Sequence, residues 1–151
     1  MPALLVGVVR YPPAYSPWYI ANATLIASPA SFTFGDILFP DASGNFDQLV
    51  TTDAVLTAGY VIALEAFVTG MTVCQVAIPG SVIAFPVDTT VRPCGLVKFV
   101  FSGGVQSITA AAAADLAAGK VLGRMRQHYQ DHENLRLPSA NDIVLVNTGL
   151  C

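Results

Sequence analysis

Residues 91–126 read VRPCGLVKFVFSGGVQSITAAAAADLAAGKVLGRMR, and this stretch decides the fold class that the sequence predicts. Two runs of β-forming residues, GLVKFVF and GVQSIT, flank a Ser-Gly-Gly turn. A run of alanines then leads to AGKVLGRMR, whose alternation is typical of a strand. The two faces of that strand carry Val121, Gly123 and Met125 on one side and Leu122, Arg124 and Arg126 on the other. The stretch predicts an antiparallel β scaffold, and it contains no obvious catalytic motif.

The rest of the chain repeats this pattern of short strands and turns. Residues 50–87 contain VTTDAVL, YVIALEAFV, MTVCQVAI and SVIAFPV, separated by turns at Ala58-Gly59, Thr69-Gly70 and Pro79-Gly80. Before this region, YIANATLI and SFTFGDILF indicate two more strands, with Gly35 as a bulge in the second. Near the end of the chain, DIVLVN indicates the last strand. Regular turn signals between β-branched runs predict an all-β fold, a small antiparallel β-sandwich or barrel.

One segment has helical character. Residues 105–118, VQSITAAAAADLAA, end in Ala and Leu, and Gly119 follows where a helix would be capped. An isolated helix of this length is marginal in water, so the alternative is an extended connector between strands. We expect at most one short helix in the chain.

The first 20 residues form a separate unit in the predicted organisation. They combine prolines with the aromatic residues Tyr11, Tyr15, Trp18 and Tyr19, and they lack the early basic region of a signal peptide. Prolines favour extended backbone, and aromatic rings fill pockets with little loss of entropy. We expect residues 1–20 to be an extended arm, which either docks on a partner or folds over its own domain. Residues 21–151 are expected to be a single β-rich domain.

The composition predicts that much apolar surface is covered by something other than the chain's own fold. Hydrophobic residues make up 54 % of the chain and charged residues only 11 %, whereas charged residues are usually about 25 %. The cover could be identical subunits, a larger partner or a membrane. Residues 66–87 carry no charge, but Pro79-Gly80 and many β-branched residues make a membrane span the weaker interpretation.

The net charge of −3 is unevenly distributed. No Lys or Arg lies between Arg10 and Arg92, whereas that span holds six acidic residues; from Arg92 onward, basic residues outnumber acidic ones. This segregation suits head-to-tail contact between identical subunits, and chance segregation of few charges is the alternative. There is no basic cluster of the kind that binds nucleic acid.

Two histidines, His128 and His132, are spaced as metal ligands on one helical face would be. The glutamate that a zinc peptidase needs directly after the first histidine is replaced by Tyr129. We therefore favour a solvated loop over a metal site.

The aspartates and the cysteines also lack the spacing of a metal-binding site. The acidic residues Asp36, Asp41, Asp47 and Asp53 lack the dense oxygen pattern of a calcium loop, so solvated turn residues are favoured. The three cysteines have no metal spacing, and we expect small buried side chains in preference to one disulfide and a free thiol. The sequence thus predicts no catalytic residue, no metal and no cofactor.

GLVKFVFSGG, AAGKVLGRM and the closing NDIVLVNTG together resemble the head decoration, or cement, proteins of tailed bacteriophages. The resemblance extends from Pro93 to Gly149, with a vaguer match in TAGYVIAL. It implies a β-rich protein bound to the major capsid protein on the outside of an icosahedral shell, at threefold positions and often as a trimer. It carries over no catalytic residues.

The sequence leads to the hypothesis of a capsid decoration protein that is made in the host cytoplasm and located on the virion. It would be no enzyme and would bind neither nucleic acid nor membrane. Partner contacts are predicted for the arm's aromatic residues and for Arg124 and Arg126, which would face an acidic neighbour. The alternatives are another virion component (tail, fibre or minor capsid protein), a small metal-dependent hydrolase using His128 and His132, and a sugar-binding β-sandwich using Trp18 and Tyr19.

Overall fold

The computed structural model of the chain describes residues 19–89, 91–92, 94–125 and 143–149. Within these residues the chain forms ten strands and one short helix. The strands are β1 (Ile20–Thr24), β2 (Ile37–Pro40), β3 (Phe46–Gln48), β4 (Val61–Ala63), β5 (Val73–Ala77), β6 (Val82–Pro86), β7 (Leu96–Ser102), β8 (Val105–Ala110), β9 (Val121–Met125) and β10 (Ile143–Thr148). The helix is α1 (Ala113–Ala117).

The strands form two five-stranded sheets in which all neighbouring strands are antiparallel. Sheet I has the order β1-β5-β4-β2-β3, and sheet II has the order β6-β10-β9-β7-β8. A parallel bridge from Leu25 to Phe46 links the end of β1 to β3, and another from Val87 to Ile108 links the end of β6 to β8. Each sheet therefore curls toward closure. For the described residues, the prediction of an all-β sandwich or barrel with at most one short helix is confirmed.

The central strands of sheet I have apolar side chains on both faces. Leu38 on β2 belongs to a small cluster enclosed by the curled sheet, whereas its neighbour Ile37 belongs to the main core shared with sheet II. The same alternation recurs on β4, where Ile62 faces the main core while Val61 and Ala63 face the small cluster. Sheet I is thus a layer between two cores, and this explains why its central strands are almost wholly apolar.

A buried amide joins the two sheets. Gln106 lies on β8 of sheet II, and its side chain is 6 % exposed. Its Oε1 accepts a hydrogen bond from the Ile37 N–H (2.6 Å), and its Nε2 donates to the Ile37 and Leu49 carbonyls (3.0 Å each). The amide therefore pairs with β2 as a backbone peptide would, and all its bonds are satisfied inside the core.

The segment VTTDAVL was predicted to be a strand, and this prediction is wrong. No strand lies between Gln48 and Val61, and Asp53 adopts a positive φ of 60° that interrupts extended backbone. The segment instead covers the edge of β7, whose pairing with β9 ends at Lys98. Beyond that point the Asp53 N–H donates to the Phe99 carbonyl (3.2 Å), and the Thr52 hydroxyl exchanges hydrogen bonds with the Phe101 backbone.

Two other strands are shorter than the sequence predicts. The run SFTFGDILF becomes a strand only from Ile37, because Gly35, predicted as a bulge, has a φ of 95° within a turn. The run YVIALEAFV is a strand only over Val61–Ala63. The three predicted glycine turns are confirmed, with φ values of 100° at Gly59, 89° at Gly70 and 109° at Gly80.

The alanine-rich segment is part strand and part helix. Residues Val105–Ala110 form β8, and only Ala113–Ala117 are helical. The helix has half of a capping box, since the Ala112 N–H donates to Asp115 Oδ2 (2.7 Å). Gly119 follows the helix with a φ of 74°, as the predicted cap requires. A Cβ there would also lie 2.4 Å from Thr57 Cγ2.

The two predicted faces of β9 are not maintained. Leu122 and Met125 both lie in the main core, whereas Arg124 is exposed. The cause is a register shift, in which Gly123 pairs with Val97 but Val121 pairs with Lys98. Arg124 therefore does not share a face with Leu122.

Replacing the inter-sheet amide tests its contribution to stability. Gln106→Leu keeps the approximate volume but leaves the Ile37 N–H and the Leu49 carbonyl without this partner. We expect the free energy of unfolding in urea to fall by about 2–5 kcal/mol. The control Gln75→Leu, at an exposed position on β5, should change it by less than about 0.5 kcal/mol. Equal effects of the two substitutions would contradict a structural role for the amide.

Candidate functional site

Tyr19 is the one aromatic residue of the predicted arm that lies within the described residues. Its side chain is 52 % exposed, and its ring lies against Gly80, where a Cβ would be 3.4 Å from Tyr19 Cδ2. Its N–H donates to Ser81 Oγ (2.9 Å), and its carbonyl accepts from the Ile78 N–H (2.8 Å). The backbone of Tyr19 is thus fixed to sheet I while its side chain stays accessible.

Arg124 is exposed on β9. Its Nη1 donates to the Cys94 carbonyl (2.7 Å), which orients the guanidinium without neutralising it. No hydrogen bond or ion pair joins Arg124 to Tyr19 within the described part of the chain. Several other predicted residues lie outside the described residues: Tyr11, Tyr15, Trp18, Arg126, His128 and His132.

A cavity of about 430 Å³ opens where the loop before β4 meets the ends of β9 and β10. Its described lining is Leu56, Thr57, Gly59, Tyr60, Pro79, Gly80, Gly119, Val121, Thr148 and Gly149. The volume is within the range of small-molecule sites. Sequence reasoning missed this cavity, because its glycines served there only as turn signals and its residues are scattered over the chain.

The hydroxyl of Tyr60 is the one titratable group in the described lining of the cavity. It donates to the Leu122 carbonyl (3.0 Å) and accepts from the Gly149 N–H (3.0 Å). Burial raises its pKa to about 12, although the hydrogen bond from the Gly149 N–H opposes the shift. Tyr60 therefore stays neutral near pH 7 and holds the ends of β9 and β10 together, and the described lining can bind apolar groups.

Four charged side chains form an ion-pair cluster beside this region. Lys98 Nζ lies 3.1 Å from Asp53 Oδ1 and 3.2 Å from Asp115 Oδ1. Lys120 Nζ lies 3.0 Å from Asp53 Oδ2. The cluster joins β7, the helix and the turn before β9 to the loop that carries Asp53, and hydrogen bonds from Lys120 and Lys98 hold the pKa of Asp53 below its ordinary value.

This cluster changes the interpretation of the uneven charge distribution. Asp53 belongs to the lysine-free first part of the chain, whereas Lys98 and Lys120 belong to the basic second part. Some of the opposite charges that were predicted to meet between subunits therefore form ion pairs within one chain. Among the described basic residues, Arg92 and Arg124 are the two outside the ion pairs.

The four aspartates considered as calcium ligands serve separate parts of the fold. Asp41 Oδ1 accepts from the Ser43 and Asn45 N–H groups within its own turn, and Asp47 Oδ1 accepts from the Ala30 N–H. Asp36 is half-buried and accepts from the Thr33 backbone and Gln48. Burial raises the pKa of Asp36, and these hydrogen bonds oppose the shift.

The two described cysteines are free and differ in exposure. Cys74 is buried in the small core, as predicted, and burial raises its pKa to about 11. Cys94 is exposed, so the prediction of a buried side chain is wrong there; it sits at a φ of 61° in the loop before β7.

Large apolar side chains are exposed over several parts of the described surface. The set is Tyr19, Ile20, Val50, Val55, Val68, Val73, Ile78, Val105 and Leu116. Four of these, Tyr19, Ile20, Val73 and Ile78, lie on or directly beside the paired strands β1 and β5. The edge of sheet I at β1 is therefore the most apolar exposed part that the structure brings together.

Two further searches concern the described residues only. No group of three or more His, Cys, Asp or Glu side chains there could hold a metal ion. None of the helical segments there has the length and apolarity to cross a bilayer. The sequence matches no protein-family model, and no curated protein matches it significantly.

The ion-pair cluster predicts a pH-dependent contribution to stability. The pKa of Asp53 is lowered in the folded chain, so its stabilising contribution is present above the ordinary value of 3.8 and is lost as the pH falls through the folded value. Asp53→Asn should therefore lower the free energy of unfolding more at roughly pH 6 than at roughly pH 2.5. Urea unfolding at the two pH values measures this difference.

Asp41→Asn is the control for this experiment, because Asp41 accepts backbone hydrogen bonds but forms no ion pair within the described residues. Its effect should be small and nearly the same at both pH values. A pH-independent loss of stability in Asp53→Asn would contradict the assigned role of the cluster.

Proposed function

We propose that this chain is a structural virion protein that decorates the outer surface of a capsid and stabilises the shell by stoichiometric contacts. The observation that carries the proposal is a surface with large exposed apolar side chains on a chain in which only 11 % of residues are charged. Such a surface fits a protein that functions in contact with many neighbouring molecules.

The position of the resembling segments supports the same proposal. GLVKFVFSGG, AAGKVLGRM and NDIVLVNTG correspond to β7 and its turn, β9, and β10. These three strands are adjacent in sheet II, in the order β10-β9-β7. Segments distant in the sequence thus form one continuous sheet. In this proposal sheet II is the structural frame, and the major capsid protein is the principal partner.

The fold also suits a passive mechanical role. The sheets share one core, the inter-sheet amide is fully bonded, and the ion pairs attach the loop before β4 to β7 and the helix. A protein that reinforces a shell needs to keep its shape under load, and this requires dense core packing with satisfied polar groups. In the proposal the chain is a homo-oligomer, with a trimer expected from the resemblance.

Sedimentation of virus particles tests the proposal. Intact particles from the source of this sequence are separated on a density gradient, and the chain is quantified against the major capsid protein by densitometry. We expect co-sedimentation in near-stoichiometric amount, and we expect particles that lack the chain to lose their contents at a lower temperature. Chain that remains at the top of the gradient, or that is present in only a few copies per particle, would contradict a decoration role.

Arg124 provides a test of the contact surface. Arg124→Glu reverses an exposed charge, so binding to an acidic neighbour should weaken by about tenfold, with a weaker dependence on salt. Titration of shells that lack the chain measures this affinity. Arg124→Lys is the matched control, because it keeps the charge and alters the hydrogen bond to Cys94. Normal affinity of Arg124→Glu would contradict a contact through this charge.

A further inference from the structure

The cavity of about 430 Å³ opens at one end of the main core, and backbone hydrogen bonds frame it. Leu56 and Tyr60 in its lining belong to the main core. The Leu56 N–H donates to the Gly119 carbonyl (2.8 Å), and the Gly80 N–H donates to the Thr148 carbonyl (2.9 Å). These bonds join separate parts of the lining, so the cavity has fixed walls.

The described chain begins beside one of these walls. The Tyr19 N–H donates to Ser81 Oγ (2.9 Å), and the Tyr19 carbonyl accepts from the Ile78 N–H (2.8 Å). Ile78 and Ser81 flank the turn Pro79-Gly80, and this turn lines the cavity. Consecutive Cα atoms are about 3.8 Å apart, so Trp18 starts one residue from a point that is fixed at the wall.

The side chains of β1 alternate between the two cores. Ile20 is opposite Ala77 of β5, which belongs to the main core, whereas Ala23 belongs to the small core. The even-numbered residues of β1 therefore face the side of the main core. The backbone bond of Tyr19 to β5 continues the pairing, and side chains two residues apart share a face. Trp18 is thus expected on the face of Ile20, where the cavity opens.

We infer that the indole of Trp18 occupies this cavity in its own chain. An apolar cavity of about 150 Å³ already holds a benzene ring, so the cavity has room for a bicyclic indole. Leu56 and Val121 supply apolar contacts, and the Thr57 hydroxyl in the lining can accept a hydrogen bond from the indole N–H. The inference is independent of the proposed function, since it concerns the free chain.

The covalent link favours the chain's own arm over the arm of a second copy. Tyr19 is already fixed at the wall, so occupation of the cavity orders little more than Trp18 itself. A tethered group also acts at a high effective concentration, whereas the arm of a second copy would lose translational freedom. Of the two alternatives for the arm, this geometry favours folding over its own domain at Trp18.

Fluorescence of the full chain tests the burial of the indole, because Trp18 is the single tryptophan of the sequence. The acrylamide quenching constant of the wild-type chain should be lower than that of the chain unfolded in urea by about threefold or more, since a buried ring is shielded from the quencher. It should not change with chain concentration. Quenching as strong as in urea, or protection that appears only as the concentration rises, would overturn the inference.

A variant that fills the cavity tests the site. Thr57 is exposed in the lining, so Thr57→Tyr should expel the indole and raise the quenching constant by about threefold, with circular dichroism unchanged. Thr51→Tyr is the matched control, because it adds the same side chain at an exposed position of the same loop outside the described lining. Its quenching constant should equal that of the wild type. Equal constants in the two variants would overturn the inference.

Nuclear Overhauser effects in the wild-type chain test the contacts without any substitution. We expect effects between the indole ring protons of Trp18 and the methyl groups of Leu56 and Val121. The competing occupant is Leu150, which follows Gly149 of the lining in the sequence. Overhauser effects from Leu150 to Val121, with none from the indole, would overturn the inference.

Discussion

The hydrogen bonds of the Gln106 side chain hold the two sheets of this protein in one register. The amide uses Oε1 and Nε2 on the backbone of β2 and on Leu49, so a residue of sheet II completes the bonding of sheet I. The surrounding core is apolar, and an unpaired peptide group there would cost about 1–3 kcal/mol. The amide thus fixes which residues of β2 meet β8, and the packing of Ile37 and Ile62 against sheet II follows from that register.

The packing of the two sheets also determines which surfaces remain available for contacts with other molecules. Because sheet I packs between two cores, β4 is buried on both faces, whereas β5 leaves Val73 and Gln75 exposed. Its outer strand β1 exposes the side chains of Ile20, Asn22 and Thr24 on one face. The ion pairs of Asp53 use both described lysines internally, and this leaves Arg92 and Arg124 as the positive charges outside ion pairs in the described region. Among the described residues, the apolar edge of sheet I and these two arginines thus remain available for contacts with other molecules.

The sequence predicted those parts of the fold that depend on local pattern. The strands around the Ser-Gly-Gly turn, the glycine turns and the short capped helix each follow from residues close together in the chain. The prediction was wrong where partners are distant: residues 50–56 pair with the edge of β7, and the bulge at Leu122 comes from register with β7. Asp53 and Lys120 are 67 residues apart in the sequence, and Gln106 and Ile37 are 69 residues apart. No local sequence pattern therefore predicts either contact.

The central claim is that the Gln106 side chain joins the two sheets by completing backbone hydrogen bonds of Ile37 and Leu49. Hydrogen exchange of individual amides in the wild-type chain and in Gln106→Leu tests this claim most directly. We expect slow exchange of the Ile37 amide in the wild-type chain and markedly faster exchange in Gln106→Leu. Fast exchange at Ile37 in the wild-type chain, or the same rate in both proteins, would contradict the account.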